Sequence, residues 1–200
     1  MSTEENSLRE KILNISRHLL YTDGHTSLSM RGIAKEVGVS ATSIYLHFDN
    51  KDHLLHTLIE ESVEALSVSI EERVNEHTDV VTQFESIIRG YAEFALAHPE
   101  KYQIIYMVRS EAMARYPKEK FRKARRCYEL LVKVIESGVE KGLMEEKDPL
   151  IAAYSIWGQL HGIISVVLNQ RLDSRINKEH FIEESIQHIV EGFLVRTQVS

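Results

Sequence analysis

Apolar residues recur along this chain at intervals of three and four, the spacing that places them on one side of an α-helix. The pattern begins with Ile12, Ile15 and Leu19 and predicts a first helix from about Ser7 to Tyr21. No run of alternating β-branched residues predicts a strand. Glycine, proline and aspartate separate the helical segments, and the segments together predict an all-α fold of about nine helices.

Two short helices are predicted directly after the first. Ser29 is a suitable N-cap for a helix carrying Ile33, and Gly38 can adopt the left-handed conformation that ends it. Ser40 can cap a second short helix carrying Ile44. The sequence therefore predicts a helix, a tight turn and a second helix between about residues 29 and 48.

Longer helices follow, and one of them lacks charge. A long helix from about Asn50 to His77 leads away from the short pair, and no charged residue occurs from Pro149 to Gln170. About 20 uncharged residues could span a bilayer. However, Tyr154, Gln159 and His161 distribute polar groups along this stretch, and these groups are costly in lipid but can be paired inside a protein. We expect a fully buried central helix and no membrane partner.

Composition and charge narrow the class of protein. A net charge of −6 over 200 residues argues against a protein that coats nucleic acid nonspecifically, but it does not exclude a local DNA-reading surface. The single cysteine, Cys127, cannot form an intramolecular disulfide, and the N-terminal residues lack the basic start and apolar run of a signal peptide. We therefore expect a cytoplasmic protein.

The second short helix carries the residues that point to a function. Small side chains on its outer face fit a DNA major groove about 12 Å wide, and a Ser or Thr there can reach base edges. These outward residues are Ala41, Thr42, Ser43 and Leu46. The residues Tyr45, His47 and Lys51 follow, with Arg31 in the preceding helix, and all four can donate to phosphates. The alternative is an ordinary helical hairpin with a solvated face, since helix-turn-helix spacing alone is a weak signal.

The same stretch resembles the DNA-binding domain of the TetR family of transcription regulators. The matching residues are Ser29-Met30-Arg31-Gly32-Ile33-Ala34, Gly38-Val39-Ser40, Ile44-Tyr45-Leu46-His47-Phe48 and Asn50-Lys51. The resemblance implies a DNA-binding domain over residues 6–66, with Ala41, Thr42 and Ser43 beside the bases. It also implies phosphate contacts from Tyr45, His47 and Lys51 and further contacts from Ser29 and Arg31.

The resemblance implies a larger helical domain over residues 67–200 that dimerises and binds an effector. Two copies would place their recognition helices about one DNA turn apart on a palindromic operator of double-stranded DNA. A homodimer interface made by the last helices would account for the uncharged helix, whose glycines allow close approach. The candidate interface residues are Gly158, Gly162, Val166, Ile182, Ile186, Ile189 and Phe193.

An apolar effector pocket with a few polar tips is the second expectation for this domain. The candidate lining residues are Tyr91, Phe94, Tyr102, Tyr106, Met107, Met113, Tyr128, Trp157, His161 and Leu168. The alternative for each is an ordinary core position. His161 has no cysteine or carboxylate three or four positions away, so a buried histidine is favoured over a metal ligand, and we expect neither metal nor cofactor.

These features predict a ligand-responsive repressor. The chain has no glycine-rich phosphate loop and no Gly-x-Ser-x-Gly motif, so we do not expect an enzyme. The alternative is a DNA-binding dimer that positions another protein, such as a division or nucleoid factor, without regulating transcription. The sequence determines neither the effector, the operator, the sign of regulation nor any further pairing of dimers on DNA.

Overall fold

The computed structural model describes residues 3–24, 28–107 and 126–195, and within these ranges the chain forms nine α-helices and no strand. The helices are α1 (Thr3–Asp23), α2 (Met30–Val37), α3 (Ala41–Tyr45), α4 (Lys51–Asn75), α5 (Val80–Ala97), α6 (Pro99–Met107), α7 (Arg126–Glu140), α8 (Pro149–Leu168) and α9 (Lys178–Phe193). The predicted all-α fold is confirmed. The sequence also predicts a basic helix from about Lys118 to Lys141, and residues 118–125 of it lie outside the described ranges.

The helices pack into two compact units. Unit 1 comprises the described residues of Met1–Glu64 and His98–Lys123, and unit 2 comprises those of Ala65–Ala97 and Ala124–Ser200. The long helix α4 belongs to both, with the division after Glu64. Helix α6 joins unit 1 because it packs against α1 and buries Ile104 in the core there. The predicted domain boundary between residues 66 and 67 stays a prediction. Helix α6 follows that boundary in the sequence but packs in unit 1.

Unit 1 is organised around an apolar core to which its helices contribute. Ile33 of α2 and Ile44 of α3 are fully buried, as is Phe48 just beyond α3. Leu54 and Leu58, from the first two turns of α4, complete this core. Burying a large apolar side chain contributes about 1.5–3 kcal/mol, so these contacts hold the two short helices in place.

Unit 2 is a bundle in which α5 contacts α7, α8 and α9. Its core includes Phe84 and Ile88 from α5, Ile135 from α7 and Ile156 from α8. Arginine side chains connect the helices near the surface: Arg89 of α5 donates to Glu183 of α9, Arg73 of α4 to Glu93 of α5, and Arg126 of α7 to Glu71 of α4. Because exposed ion pairs contribute little to stability, the apolar core is the main source of cohesion here.

The expectation of a fully buried uncharged helix is wrong for this chain by itself. Helix α8 has the length and apolar composition of a membrane span, but only 28% of its most apolar 18-residue stretch is buried. One side, with Ile156 and Leu160, faces the core of unit 2. The opposite side exposes Ile151 and Tyr154, which are 66% and 58% accessible. An uncharged sequence thus gives a helix that packs one side in the core and, among the described residues, leaves apolar side chains exposed on the other.

Gly38→Ala should destabilise unit 1, because Gly38 ends α2 with φ at +82°. The left-handed region costs an ordinary L-residue about 1 kcal/mol, whereas asparagine tolerates it better. Gly38→Asn is therefore the matched control, and we expect it to lose clearly less free energy of unfolding than Gly38→Ala in urea titrations followed by circular dichroism. Equal losses in the two variants would show that the φ angle is not what the position demands.

Candidate nucleic-acid interface

Local hydrogen bonds build the turn between the two short helices. The Ser29 hydroxyl accepts the Gly32 N–H at 3.1 Å and caps α2, as the sequence predicts. At the other end of α2, the N–H of Gly38 donates to the Ala34 carbonyl at 3.0 Å. The Ser40 hydroxyl then accepts the Ser43 N–H at 3.1 Å and starts α3. Each cap satisfies backbone donors that a short helix cannot satisfy within itself.

Helix α3 presents a mixed outer face. Ile44 points inward and is fully buried, while Thr42 and Tyr45 are exposed. Leu46 follows directly and is 81% accessible, an unusual environment for a leucine. Arg31 and Ser29 are also exposed, at the start of α2. The second predicted short helix is therefore present, and its outer face offers hydroxyl, aromatic and aliphatic groups to solvent.

Other predicted contact residues are less open. Ala41 is half-buried and packs against the core of unit 1, and Ser43 is half-buried with its hydroxyl 2.9 Å from that of Ser40. The expected outward position of these two residues is therefore only partly met, because the first turn of α3 lies close to the core. His47 and Lys51 are half-buried beyond the helix, with Lys51 opening α4.

Leu46 is a candidate contact residue that the sequence prediction missed. The sequence places it on the outer face of the second short helix, but not among the predicted DNA contacts. Its signal is its position, because Leu46 is a large apolar residue exposed at the end of α3, whereas the isoleucine of that helix, Ile44, lies in the core. Aliphatic side chains at such positions can contact the methyl group of thymine.

The stretch of sequence that carries this surface has balanced formal charges. Residues 28–53 contain three cations, Arg31, Lys35 and Lys51, and three carboxylates, Glu36, Asp49 and Asp52. A DNA contact here must therefore draw much of its phosphate binding from uncharged donors such as hydroxyl and backbone N–H groups.

Unit 2 contains a row of aromatic side chains on α7 and α8. The rings of Tyr128 and Tyr154 lie 4.4 Å apart between centroids, and Trp157 lies 6.4 Å from Tyr154. Trp157 stacks on the imidazole of His161 at 5.3 Å. The structure thus brings together Tyr128, Trp157 and His161 from the predicted pocket residues and adds Tyr154, which sequence reasoning did not select.

The remaining pocket candidates are not in this row. Tyr91 and Phe94 are buried in unit 2, and Leu168 is half-buried at the end of α8. Tyr102 and Tyr106 belong to unit 1, where their rings are 5.1 Å apart and burial raises the pKa of Tyr102. The side chain of Met107 and all of Met113 lie outside the described residues. The predicted lining is therefore divided between core positions and the aromatic row.

The candidate dimer residues also divide into two groups. Gly158 and Gly162 lie on the exposed side of α8, where an added Cβ would meet no atom of the same chain within 4 Å. Val166 and Ile182 are half-buried, and so is Phe193, whose ring lies 6.3 Å from that of Phe84.

The prediction that Ile186 and Ile189 lie in the dimer interface is contradicted by their burial. Both side chains are 3% accessible inside unit 2, so they are not available to a partner. The periodic apolar stripe of α9 serves the chain's own core. The outer side of the helix carries polar residues, among them Glu184, Gln187 and His188.

Within the described part of the chain, no three His, Cys, Asp or Glu side chains are grouped so that they could hold a metal ion.

A helical chain with this capped pair of short helices and a separate helical bundle has the architecture of a two-domain bacterial DNA-binding regulator. Residues 12–58 match the family "Bacterial regulatory proteins, tetR family", and residues 84–193, more than half of the 200, match "Tetracyclin repressor-like, C-terminal domain". The chain belongs to the TetR family, and the resemblance seen in residues 29–51 is confirmed.

Individual related proteins match the chain over about half of its length. The nucleoid occlusion factor SlmA of Marinomonas sp. (strain MWYL1) is 31% identical over 99 residues, which is 50% of each protein. An HTH-type transcriptional regulator of Haemophilus influenzae is 28% identical over 99 residues, covering 50% of this chain and 53% of that protein. The chain spans about half the length of the curated relatives it matches.

Solved structures agree with the fold over nearly the whole chain. A protein from Rhodococcus sp. RHA1 aligns with a TM-score of 0.78 at 23% identity, covering 94% of this chain and 96% of its own. A TetR family transcription regulator from Marinobacter aquaeolei VT8 also gives a TM-score of 0.78, at 17% identity, covering 98% of this chain and 100% of its own. At these identities the likeness establishes the fold.

Acid should destabilise the protein through His161. Loss of hydration on burial lowers the pKa of this imidazole, so the folded state takes up the proton at lower pH than the unfolded chain. The stability that neutral His161 contributes is present above the unfolded value of about 6.5 and is lost as the pH falls through the folded-state pKa.

Replacing His161 with glutamine should therefore reduce the decline in the free energy of unfolding between about pH 7.5 and about pH 5.5. Urea unfolding at the two pH values measures this decline. His188→Gln, which changes an exposed histidine on α9, is the matched control. An unchanged acid dependence in His161→Gln would show that the desolvated imidazole does not govern it.

Proposed function

We propose that this protein is a sequence-specific DNA-binding transcription regulator that binds a palindromic operator as a homodimer. The observation that carries the proposal is the capped pair α2 and α3, with an exposed outer face on α3, in a chain of the TetR family. α3 enters the major groove, and its small residues allow the close approach that base reading requires.

The contacts divide by chemistry. Thr42 and Leu46 read bases, Thr42 through its hydroxyl or methyl group and Leu46 through the methyl group of thymine. Tyr45 and Lys51 bind phosphates, with His47, Ser29 and Arg31 adding donors around them. Ala41 and Ser43 approach the bases closely and mainly define the shape of the helix surface. Because the surface has balanced charges, base contacts and the alignment of two half-sites supply much of the selectivity.

The exposed side of α8 supports the homodimer. Leu150, Ile151 and Tyr154 leave apolar surface uncovered beside Gly158 and Gly162, and the absence of side chains at the two glycines permits close helix packing. A two-fold axis along this face brings α8 of one copy against α8 of the other. This arrangement also explains an uncharged helix in a protein that we place in the cytoplasm, with no membrane partner.

Regulation by a ligand is the second part of the proposal. The C-terminal match and the row of aromatic side chains in unit 2 support a small, largely apolar effector. The effector favours a state whose recognition helices are wrongly spaced for successive grooves, so it relieves repression. No catalytic step, metal or cofactor enters this mechanism.

Selection of genomic fragments by the purified protein tests the proposal. At about 0.15 M salt nonspecific binding is weakened, so specific sites are retained preferentially. We expect a palindrome, located near promoters, to be enriched. The proposed function is wrong if no sequence is enriched while the protein remains folded and helical.

Two variants then separate the contacts on the selected operator. Lys51→Ala should weaken binding to all sequences alike and lower the slope of log affinity against log salt by about one unit per subunit. Thr42→Ala should leave that slope unchanged and relax discrimination at one base position. Lys133→Ala, at an exposed position on α7, is the control for loss of a positive charge. Binding unaffected by both Lys51→Ala and Thr42→Ala would remove this face from the DNA interface.

A second candidate function is supported by the relatives. Several of them are nucleoid occlusion factors, and the match extends over about half of each chain. A DNA-binding dimer of this kind would position another protein and would not regulate transcription. The same genomic selection discriminates the two functions, because sites dispersed over the chromosome favour the second and sites at promoters favour the first.

Gly162→Leu should convert the dimer to monomers. A Cβ added at Gly162 meets no atom of its own chain within 4 Å, so we expect the fold to tolerate the substitution, whereas a partner helix packed closely at this position would be pushed away. Sedimentation at micromolar concentration measures the association. Lys133→Leu adds a leucine to an exposed site on α7 and should remain dimeric. A stable Gly162→Leu dimer would place the interface elsewhere.

A further inference from the structure

One arginine of α1 lies between a carboxylate and the aromatic ring that follows α3. Nη1 of Arg9 is 3.5 Å from Oε1 of Glu61 on α4, and the guanidinium carbon of the same Arg9 is 5.5 Å from the centroid of the Phe48 ring. These residues all belong to unit 1. A planar guanidinium can pair with a carboxylate while its face or edge lies on a ring, which a lysine does less well.

Phe48 connects this contact to the recognition helix. Its side chain is 1% accessible, and its N–H donates to the carbonyl of Ile44 in α3 at 3.0 Å. The N–H of His47 also donates to the Ile44 carbonyl, at 3.0 Å. The backbone that carries Tyr45, Leu46 and His47 is therefore held between two buried side chains, so a change in the position of the Phe48 ring changes the end of α3.

Glu61 is the nearer of two carboxylates beside the Arg9 guanidinium, since Oε1 of Glu10 lies 3.8 Å from the same Nη1. The other oxygen of Glu61, Oε2, accepts a hydrogen bond from Nη2 of Arg17 at 3.2 Å. Arg17 also donates to the side chain of Asn14 at 2.7 Å and is only 16% accessible. One carboxylate of α4 thus holds two arginines of α1 that are eight residues apart, and it holds Arg9 where the cation meets the ring.

We infer that Arg9, held by Glu61, is a positioning residue for DNA binding: it keeps Phe48 and the end of α3 in the binding orientation without contacting DNA. This inference rests on the proposed function, since it concerns the affinity of that same surface for the operator. The cation is required over the ring, and the carboxylate is required to keep it there. Loss of either should therefore weaken operator binding while every phosphate contact remains.

The test measures operator affinity as a function of salt for Arg9→Met and Arg9→Lys, using the operator obtained by selection. We expect Arg9→Met to lower the affinity about five- to tenfold, because without the cation–aromatic contact a smaller fraction of the protein holds α3 in the binding orientation. The slope of log affinity against log salt should stay at the wild-type value. Arg9→Lys keeps the cation, and we expect it to restore part of the affinity.

A direct contact between Arg9 and a phosphate gives a different result. The slope would then fall by about one unit per subunit in Arg9→Met, and nonspecific DNA binding would weaken in parallel. Either that result or an unchanged operator affinity would overturn the inference. Arg175→Met, which removes an exposed arginine of unit 2 paired with Asp173, is the control and should bind as the wild type does.

Glu61→Gln tests the role of the carboxylate. We expect it to weaken operator binding in the wild-type background but to have little further effect in Arg9→Met, because Glu61 acts through Arg9. If the losses of affinity from Glu61→Gln and Arg9→Met were additive in the double variant, Glu61 would not act through Arg9. Circular dichroism and sedimentation establish that each variant is folded and has the wild-type oligomeric state, which separates positioning from unfolding. Failure of the wild type itself to bind DNA would reject the proposed function, whereas equal binding by wild type and Arg9→Met would reject only this inference.

Discussion

The proposed DNA-reading surface depends on the burial of two side chains, Ile44 and Phe48, in the core of unit 1. Helix α3 is five residues long, and a helix of that length is not stable in water by itself because nucleation costs more than so few hydrogen bonds return. Ile44 places the helix against the core, and Phe48 fixes the chain where it leaves. The exposed Thr42, Tyr45 and Leu46 have defined positions only because these two inward residues do. Function at this surface is therefore a consequence of packing beneath it.

The charge of the protein also makes the proposed DNA binding depend on geometry. With a net charge of −6 and a reading surface whose cations and carboxylates balance, general attraction to DNA is weak. Affinity must come from hydrogen bonds and apolar contacts, which fall off within a few tenths of an ångström. Small displacements of α3 are then costly, and a pair of recognition helices must also be spaced correctly. A protein of this kind gains selectivity from weak electrostatics, because misaligned sites receive little compensation from phosphate attraction.

The local features of this fold follow from the sequence, and the long-range pairings do not. Ser29, Gly38 and Ser40 act within three or four residues of their own positions, so the caps and the turn were predictable. Periodicity likewise identifies the apolar stripe of α9, but it cannot say whether Ile186 and Ile189 face the chain's own core or a partner. It also cannot tell that an uncharged α8 is covered on one side only. The contacts of Arg9 with Phe48 and Glu61 join residues far apart in sequence, and no spacing rule reveals them.

Helix α4 has a special position in any coupling between effector and DNA, because it is continuous from Lys51 to Asn75 and contributes to both units. Within unit 1 its Glu61 holds two arginines of α1, and within unit 2 its Glu71 accepts from Arg126 of α7. A ligand can shift an equilibrium only by its difference in affinity for the two states. An effector bound in unit 2 can therefore change DNA binding only if it binds more tightly to one arrangement of the helices packed on α4. Glu61 and Glu71 lie ten residues apart on this one helix. The residues that hold α4 within each unit, more than those that touch ligand or DNA, would then determine how strongly the two events are linked.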